Sequence, residues 1–180
     1  VELQFKNIGL HAERFDAIVP SNGNGALGCS MSHLACLKMA QERKWTHVMI
    51  VEDDIAFLKP AQFVSQLNAF LQAHKAWDVL LLGGNNFPPF RPVDSTCIRV
   101  SKCLTTTGYI VKEHYYAELI ENIEKGIQKL FTYPHLYHLY AIDKFWFSLQ
   151  RKHGWFLLLR GFVIQRPDYS DIEQKQVNYT

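Results

Sequence analysis

Met49-Ile50-Val51-Glu52-Asp53-Asp54-Ile55-Ala56 is the stretch on which the reading of this chain turns. An apolar run enters three consecutive carboxylates, and apolar character resumes behind them. A short run of this kind reads as a buried strand, and in an open α/β sheet ligands sit off the carboxyl ends of the strands. Three adjacent acids repel one another unless positive charge sits among them. A divalent cation with oxygen ligands would supply that charge and would also draw in a phosphate-bearing substrate. The competing reading is a solvated acidic turn that closes a strand.

The flanking sequence has the same α/β grain. Leu3, Phe5 and Ile8 mark a weak helical or turn segment over 1–9, and Ser21-Asn22-Gly23-Asn24-Gly25 is loop by composition. Residues 26–44 read as a helix, with Leu27, Met31, Leu34 and Ala35 at the helical period and Leu37 and Met39 thickening the apolar face. The strand of the opening stretch covers 46–51. Pro60 then starts a helix whose apolar positions are Phe63, Val64, Leu67, Phe70 and Leu71. Residues 78–82 form a second buried strand, stopped by Gly83-Gly84-Asn85-Asn86, and a proline-bearing loop spans 87–94. Residues 97–102 alternate as a half-exposed strand does, and 107–111 make another. A helix over 113–130 sets Tyr116, Leu119, Ile120, Ile123 and Ile127 on one face. An aromatic loop over 131–140 leads to a helix opening at Asp143. Strands near 155–158 and 162–165 follow, and a polar tail runs from Arg166. This alternation of strand and helix predicts one domain over 1–180, with a mostly parallel sheet covered on both faces.

Composition narrows the function classes. The 180 residues suit one full hydrophobic core, with 48% hydrophobic and 20% charged residues. A net charge of +2 with no basic stripe argues against a nucleic-acid partner. The sequence has no run of 18 apolar residues, so no transmembrane segment is expected. Cys29 and Cys36 fall on one predicted helix about 10 Å apart, and Cys97 and Cys103 flank a predicted strand, roughly 20 Å apart if extended. Four reduced thiols are therefore expected, which suits a reducing, cytoplasmic setting (the inner membrane face included), with a secretory lumen as the other option.

Several motifs recur in a specific order. Glu13-Arg14-Phe15-Asp16-Ala17 is followed by Gly28-Cys29-Ser30-Met31-Ser32-His33 and then by Val51-Glu52-Asp53-Asp54. Further on come Thr107-Gly108-Tyr109-Ile110-Val111, Ile142-Asp143-Lys144-Phe145-Trp146 and Ser170-Asp171-Ile172. In order and spacing this series resembles glycosyltransferase family 25, the group of lipooligosaccharide and procollagen galactosyltransferases. The resemblance implies a GT-A-like, Rossmann-type mixed sheet flanked by helices. It also implies a UDP-sugar donor, Mn²⁺ or Mg²⁺ as cofactor, inversion at the sugar carbon, and a glycan or hydroxylysine-type acceptor. Members of that family open with a strand that helps hold the nucleotide base, and this chain begins just after it. An upstream portion, or weakened donor binding, is the expectation that follows.

Each candidate residue carries a structural reading beside the functional one. Alternation along a strand predicts that Glu52 and Asp54 project together, and the resemblance makes them the metal ligands, with Asp54 foremost. Asp53 is a ribose contact or a structural acceptor. Asp143 is a helix N-cap or the general base that takes a proton from the acceptor hydroxyl, and one residue can do both. Ser32 and His33 are donor contacts by resemblance, while His33 is otherwise a satisfied core or rim histidine. Gly83, Gly84 and Asn85 form a plain turn or permit close backbone approach to the donor. Gln165, Ser170 and Asp171 belong to a lid or to a solvated terminus. Phe131, Tyr133, Tyr137 and Tyr140 stack acceptor sugars or pack a loop. A metal phosphohydrolase using the same acids, and a non-catalytic glycan- or nucleotide-binding module on the same scaffold, are the rival functions.

Overall fold

A computed structural model describes residues 2–159, 161–170 and 175–177. In chain order these form α1 (Glu2–Asn7), α2 (Gly25–Glu42), β1 (His47–Val51), β2 (Ile55–Phe57), α3 (Pro60–Ala73) and β3 (Val79–Leu81). The short strands β4 (Asn85–Asn86), β5 (Arg91–Pro92), β6 (Cys97–Arg99) and β7 (Cys103–Leu104) lead to β8 (Gly108–Lys112). A 3₁₀ turn over Glu113–Tyr115 opens α4 (Tyr116–Thr132). After it come α5 (Tyr137–Tyr140), α6 (Ile142–Phe145), α7 (Phe147–Lys152), β9 (Trp155–Leu158), β10 (Val163–Gln165), β11 (Asp168–Ser170) and β12 (Lys175–Val177).

The main sheet has six strands in the order β1-β8-β3-β9-β6-β5. Only β3 and β9 pair in parallel, Leu80 opposite Phe156, and every other neighbouring pair in this sheet is antiparallel. The expectation of a mostly parallel sheet is therefore corrected. β1, β3 and β9 do run in one direction, each joined to the next through helices, as parallel neighbours require. β8 arrives instead from the run of short strands before it, so it enters in the opposite sense and slots between β1 and β3. The result is a mixed α/β sheet flanked by helices.

Side-chain alternation builds the core on both faces. Val79 and Leu81 of β3, with Trp155 and Leu157 of β9, point to the face covered by α2 and α4, where Leu27, Leu37, Leu119, Ile123, Leu130 and Trp146 are buried. Leu80 and Leu82, with Phe156 and Leu158, point to the α3 face and meet Phe63, Phe70 and Trp77. On α4 the buried stripe includes Tyr116, Leu119, Ile120, Ile123 and Ile127, as the helical period predicts. On α2 the stripe differs from the expected one. Ala26, Leu27, Ser30, His33, Leu37 and Ala40 are buried, while Met31, Leu34 and Ala35 are only half-buried. Two polar side chains thus lie on the core-facing side of that helix. Asn24 caps it, its side chain accepting from the Leu27 N–H at 3.0 Å.

Residues 131–140 are not a loop: α4 continues to Thr132, and a 3₁₀ turn over Pro134–Leu136 runs into α5. Phe131, Tyr133 and Tyr137 stay exposed there. The N-cap of α6 is Ala141, with Asp143 inside the first turn, which corrects the capping reading of Asp143. Of the last motif, Ser170 closes β11, and Asp171 and Ile172 lie outside the described residues.

Candidate active site

The three acids stand at a corner. β1 ends at Val51, Asp53 and Asp54 form a turn, and Ile55 begins β2, which leaves the main sheet to pair with β10. Because the chain turns after Val51, strand alternation no longer governs where Glu52 and Asp54 point. Their carboxylates part and meet different neighbours.

Glu52 turns toward α2 and the loop before β8. Its Oε1 accepts the Thr106 hydroxyl at 2.6 Å, the Cys29 thiol at 3.8 Å, and lies 3.7 Å from His33 Nε2. His33 in turn places Nδ1 2.9 Å from the Tyr109 hydroxyl and stacks on that ring. Burial pushes the Glu52 carboxyl up, but His33, Thr106 and Cys29 together outweigh it, so Glu52 sits below its ordinary value. Burial and the neighbouring Glu52 charge hold the Cys29 thiol well above its usual range, so it is a thiol, not a thiolate. Cys29, His33 and Glu52 present donor atoms within 4.8 Å of one another. The three contacts of Glu52 all fall on Oε1, so Oε2 is the oxygen with capacity for a further ligand.

Asp54 turns toward β10. Its Oδ2 accepts the Gln165 side-chain amide at 2.8 Å, and its Oδ1 is buried without a hydrogen-bond partner among the described residues. Burial, against the Gln165 bond and with the Glu52 and Asp53 charges adding to it, pushes the Asp54 carboxyl up to about 6. Arg166 steadies the turn from outside. Its guanidinium donates to the carbonyls of Asp53 (2.9 Å) and Asp54 (3.3 Å), and its N–H donates to the Asp54 carbonyl at 2.9 Å.

Glu52, Asp53, Asp54, Ser32, His33 and Gln165 line one cleft of about 1540 Å³ between the outer edge of β1 and the segment around 10–20. Among the described residues, that edge of β1 pairs with no strand. Ser32 has a structural task there: its hydroxyl accepts the Ile18 N–H at 2.9 Å and donates to the Gly28 carbonyl at 2.8 Å. Gly28 is needed at the same place, since a Cβ on it would lie 2.6 Å from the Ile18 carbonyl oxygen.

A smaller cleft of about 300 Å³ adjoins, lined by Gly83, Gly84, Asn85, Thr105, Thr107 and Gln165 among others, so Gln165 faces both. The close backbone approach expected of Gly83 and Gly84 is made by the protein itself. A Cβ on Gly83 would meet the Val163 carbonyl at 2.7 Å, and one on Gly84 the Leu104 carbonyl at 2.7 Å. Asp143 lines neither cleft; its Oδ2 accepts the N–H of Thr105, a residue that lines the smaller one, at 3.1 Å. Thr105 has a φ of 76°, a left-handed backbone that a β-branched residue rarely adopts. Such outliers persist where surrounding bonds hold them, often at sites that work. Burial raises the Asp143 carboxyl above its ordinary value, against the Lys144 charge and the Thr105 bond and with Glu52 adding to it.

Arg166, Thr106, Cys29 and Tyr109 were not singled out from the sequence as members of this site. Cys29 and Tyr109 lie within quoted motifs and Thr106 beside one, but each acts through contacts far along the chain that no local pattern reveals. No helix among the described residues is long and apolar enough to cross a membrane. The model of glycosyltransferase family 25 (LPS biosynthesis protein) matches residues 23–133 of this chain, which covers α2, the acid corner and all of α4. No curated protein matches the chain.

Proposed function

The chain belongs to glycosyltransferase family 25, and from that premise we propose that it is a metal-dependent, inverting hexosyltransferase. The donor is a UDP-sugar, galactose or glucose, and the acceptor is a hydroxyl of a glycan or of a hydroxylysine-type side chain. One observation carries the reading: among the described residues, Asp54 Oδ1 is buried at the acid corner without a hydrogen-bond partner. A buried carboxylate with a free oxygen, beside a second acid, is a site that lacks its counter-charge. Asp54 Oδ1 would hold Mn²⁺ or Mg²⁺, which prefer hard oxygen ligands, and Glu52, whose carboxylate is turned toward α2, would have to swing Oε2 back toward the turn to share it. Bound there, the cation would supply positive charge to the departing diphosphate.

The remaining roles fall to this chain's own groups. Asp143 takes the proton of the acceptor hydroxyl as its oxygen bonds to the sugar carbon. The bond from that carbon to the diphosphate oxygen breaks, and the diphosphate leaves with the electron pair. A carboxyl raised toward neutrality is a better base than one held at its ordinary value. Asp53, exposed at the cleft, suits the donor ribose, and His33 sets the Glu52 carboxylate. Gly84 and Asn85 border the neighbouring cleft, where the transferred sugar has room.

The test is release of UDP from UDP-galactose or UDP-glucose with and without Mn²⁺. Release that requires the metal and disappears in Asp54→Asn supports the proposal. Phosphate release from simple phosphate esters, or glycan binding that turns nothing over and ignores chelators, overturns it.

A further inference from the structure

A second group of ligating side chains lies on the α3 face of the sheet, away from the acid corner. His74 Nε2 is 2.7 Å from Asp94 Oδ2 and 3.7 Å from Cys97 Sγ, and that sulfur is 3.9 Å from Asp94 Oδ1. All three residues offer donor atoms within 4.8 Å of one another. His74 is the C-cap of α3, Asp94 sits between β5 and β6, and Cys97 opens β6. Each is held in place. The imidazole lies against Phe70 and Phe156, with ring centroids at 4.9 and 6.1 Å. Asp94 Oδ1 accepts from the Thr96 N–H at 2.7 Å, the Thr96 hydroxyl at 2.6 Å and the Cys97 N–H at 3.2 Å.

The sharing of one nitrogen separates two chemistries. A nucleophilic relay from cysteine through histidine to aspartate needs the thiol on one ring nitrogen and the carboxylate on the other. Here both face Nε2, so no proton path crosses the ring. Three donors converging on one point instead meet the demand of a tetrahedral cation. With bonds of about 2.0–2.3 Å, such donors stand roughly 3.3–3.7 Å apart. The Cys97 Sγ–His74 Nε2 distance is near that range already, and the His74–Asp94 Oδ2 pair has to open by roughly half an ångström. The 3.9 Å contact of the sulfur is with Oδ1, which Thr96 and the Cys97 N–H already hold, so Oδ2 is the ligating oxygen.

We propose that His74, Asp94 and Cys97 form a zinc site, with the sulfur, Nε2 and one carboxylate oxygen as ligands and water in the fourth position. Thiolate and imidazole favour Zn²⁺ over the hard cations that suit oxygen ligands. Coordination sends the Cys97 thiol proton to solvent and moves the His74 ring proton from Nε2 to Nδ1, so the Nε2–H hydrogen bond to Asp94 Oδ2 is replaced by the two bonds to the ion. Asp94, at 36% side-chain exposure, gives the ion its way in. The site ties the end of α3 to the start of β6, and it does not depend on the transferase reading.

The experiment uses the full, reduced chain and Co²⁺ as a spectroscopic stand-in for Zn²⁺. A thiolate-to-cobalt charge-transfer band is expected, abolished by excess Zn²⁺, absent in Cys97→Ala and retained in Cys29→Ala. The second variant is required because Cys29, with His33 and Glu52, forms the other group of this kind. Because Cys97 is fully buried, Asp94→Asn repeats the test without touching the core, and its Zn²⁺ affinity is expected to fall at least tenfold. No band at all, a band that vanishes with Cys29 and survives loss of Cys97, or unchanged Zn²⁺ affinity in Asp94→Asn overturns the site.

Discussion

Gln165 donates its side-chain amide to Asp54 Oδ2 at 2.8 Å, although the two residues stand 111 positions apart. The bond exists because β10 pairs with β2, the strand into which the acid corner leads, with Gln165 opposite Ile55. One oxygen of Asp54 is thereby fixed, and the other has no partner among the described residues. Gln165 orients the carboxylate and leaves its charge uncompensated.

The stability of the metal-free protein should therefore change with pH in a defined sense. Asp54 is raised from 3.8 to about 6 on folding, so the folded state holds that proton more tightly. Its favourable contribution is whole below pH 3.8 and is lost as the pH rises through about 6. Asp54→Asn has no charge to bury. With a chelator present, it is expected to melt above the parent at about pH 7.5 and to converge with it near pH 4. Added Mn²⁺ should stabilise the parent and leave the variant unmoved. A variant that melts below the parent at neutral pH would contradict the strain assigned to this carboxylate.

Glu52 is expected to behave in the opposite way. It anchors Thr106, Cys29 and His33 and sits below its ordinary value, so its contribution is whole above 4.5 and fades as the pH falls. Glu52→Ala leaves a buried hydroxyl and an imidazole nitrogen without their acceptor and should cost about 2–3 kcal/mol in urea unfolding. Glu52→Gln keeps an acceptor oxygen and should cost less. Equal losses in the two variants would mean that packing, not the polar network, is what Glu52 provides.

Asp143→Asn separates chemistry from structure. The amide oxygen can still accept the Thr105 N–H, so the left-handed turn should survive and the melting temperature should stay near the parent's. With general-base catalysis removed, kcat should fall by roughly 10²–10⁴, with KM for the donor little changed. The parent's turnover should climb with pH as the raised carboxyl loses its proton, and the variant should lack that limb. A variant that retains full turnover would move the base elsewhere.

Two glycines test the walls of the clefts. A Cβ at Gly28 or Gly83 would lie 2.6 or 2.7 Å from a backbone carbonyl oxygen, which cannot rotate away. Gly28→Ala and Gly83→Ala should each cost about 1–3 kcal/mol by denaturant midpoint. Gly108→Ala meets the terminal methyl of Ile55 at 3.0 Å, a side-chain end and not a fixed backbone atom, and should cost less.

What the sequence conveyed divides along contact distance. The apolar period placed the buried faces of α3 and α4, and the acid run marked the end of β1, because each signal lies within a few consecutive residues. Strand direction was less legible: nothing in 107–111 says that β8 pairs between β1 and β3 in the opposite sense. The polar stripe on α2 was hidden as well. His33 reads as a core or rim histidine, but nothing local names Tyr109 and Glu52 as its partners, and Ser30 is buried with its hydroxyl returned to the Ala26 carbonyl. Gln165 and Arg166 read as the start of a polar tail, and only the β2–β10 pairing carries them to the acids.

That pairing also sets an order of events on the ribosome. A nascent chain released as far as β9 already holds every strand of the main sheet, with its acid corner drawn but unbraced. The amide of Gln165 and the guanidinium of Arg166 emerge afterwards and are what fasten Asp53 and Asp54. On the proposed reading, ligand capture at that corner is a late acquisition of synthesis, and a chain cut short before residue 163 would keep the strands of the main sheet while losing the contacts that fasten the acids.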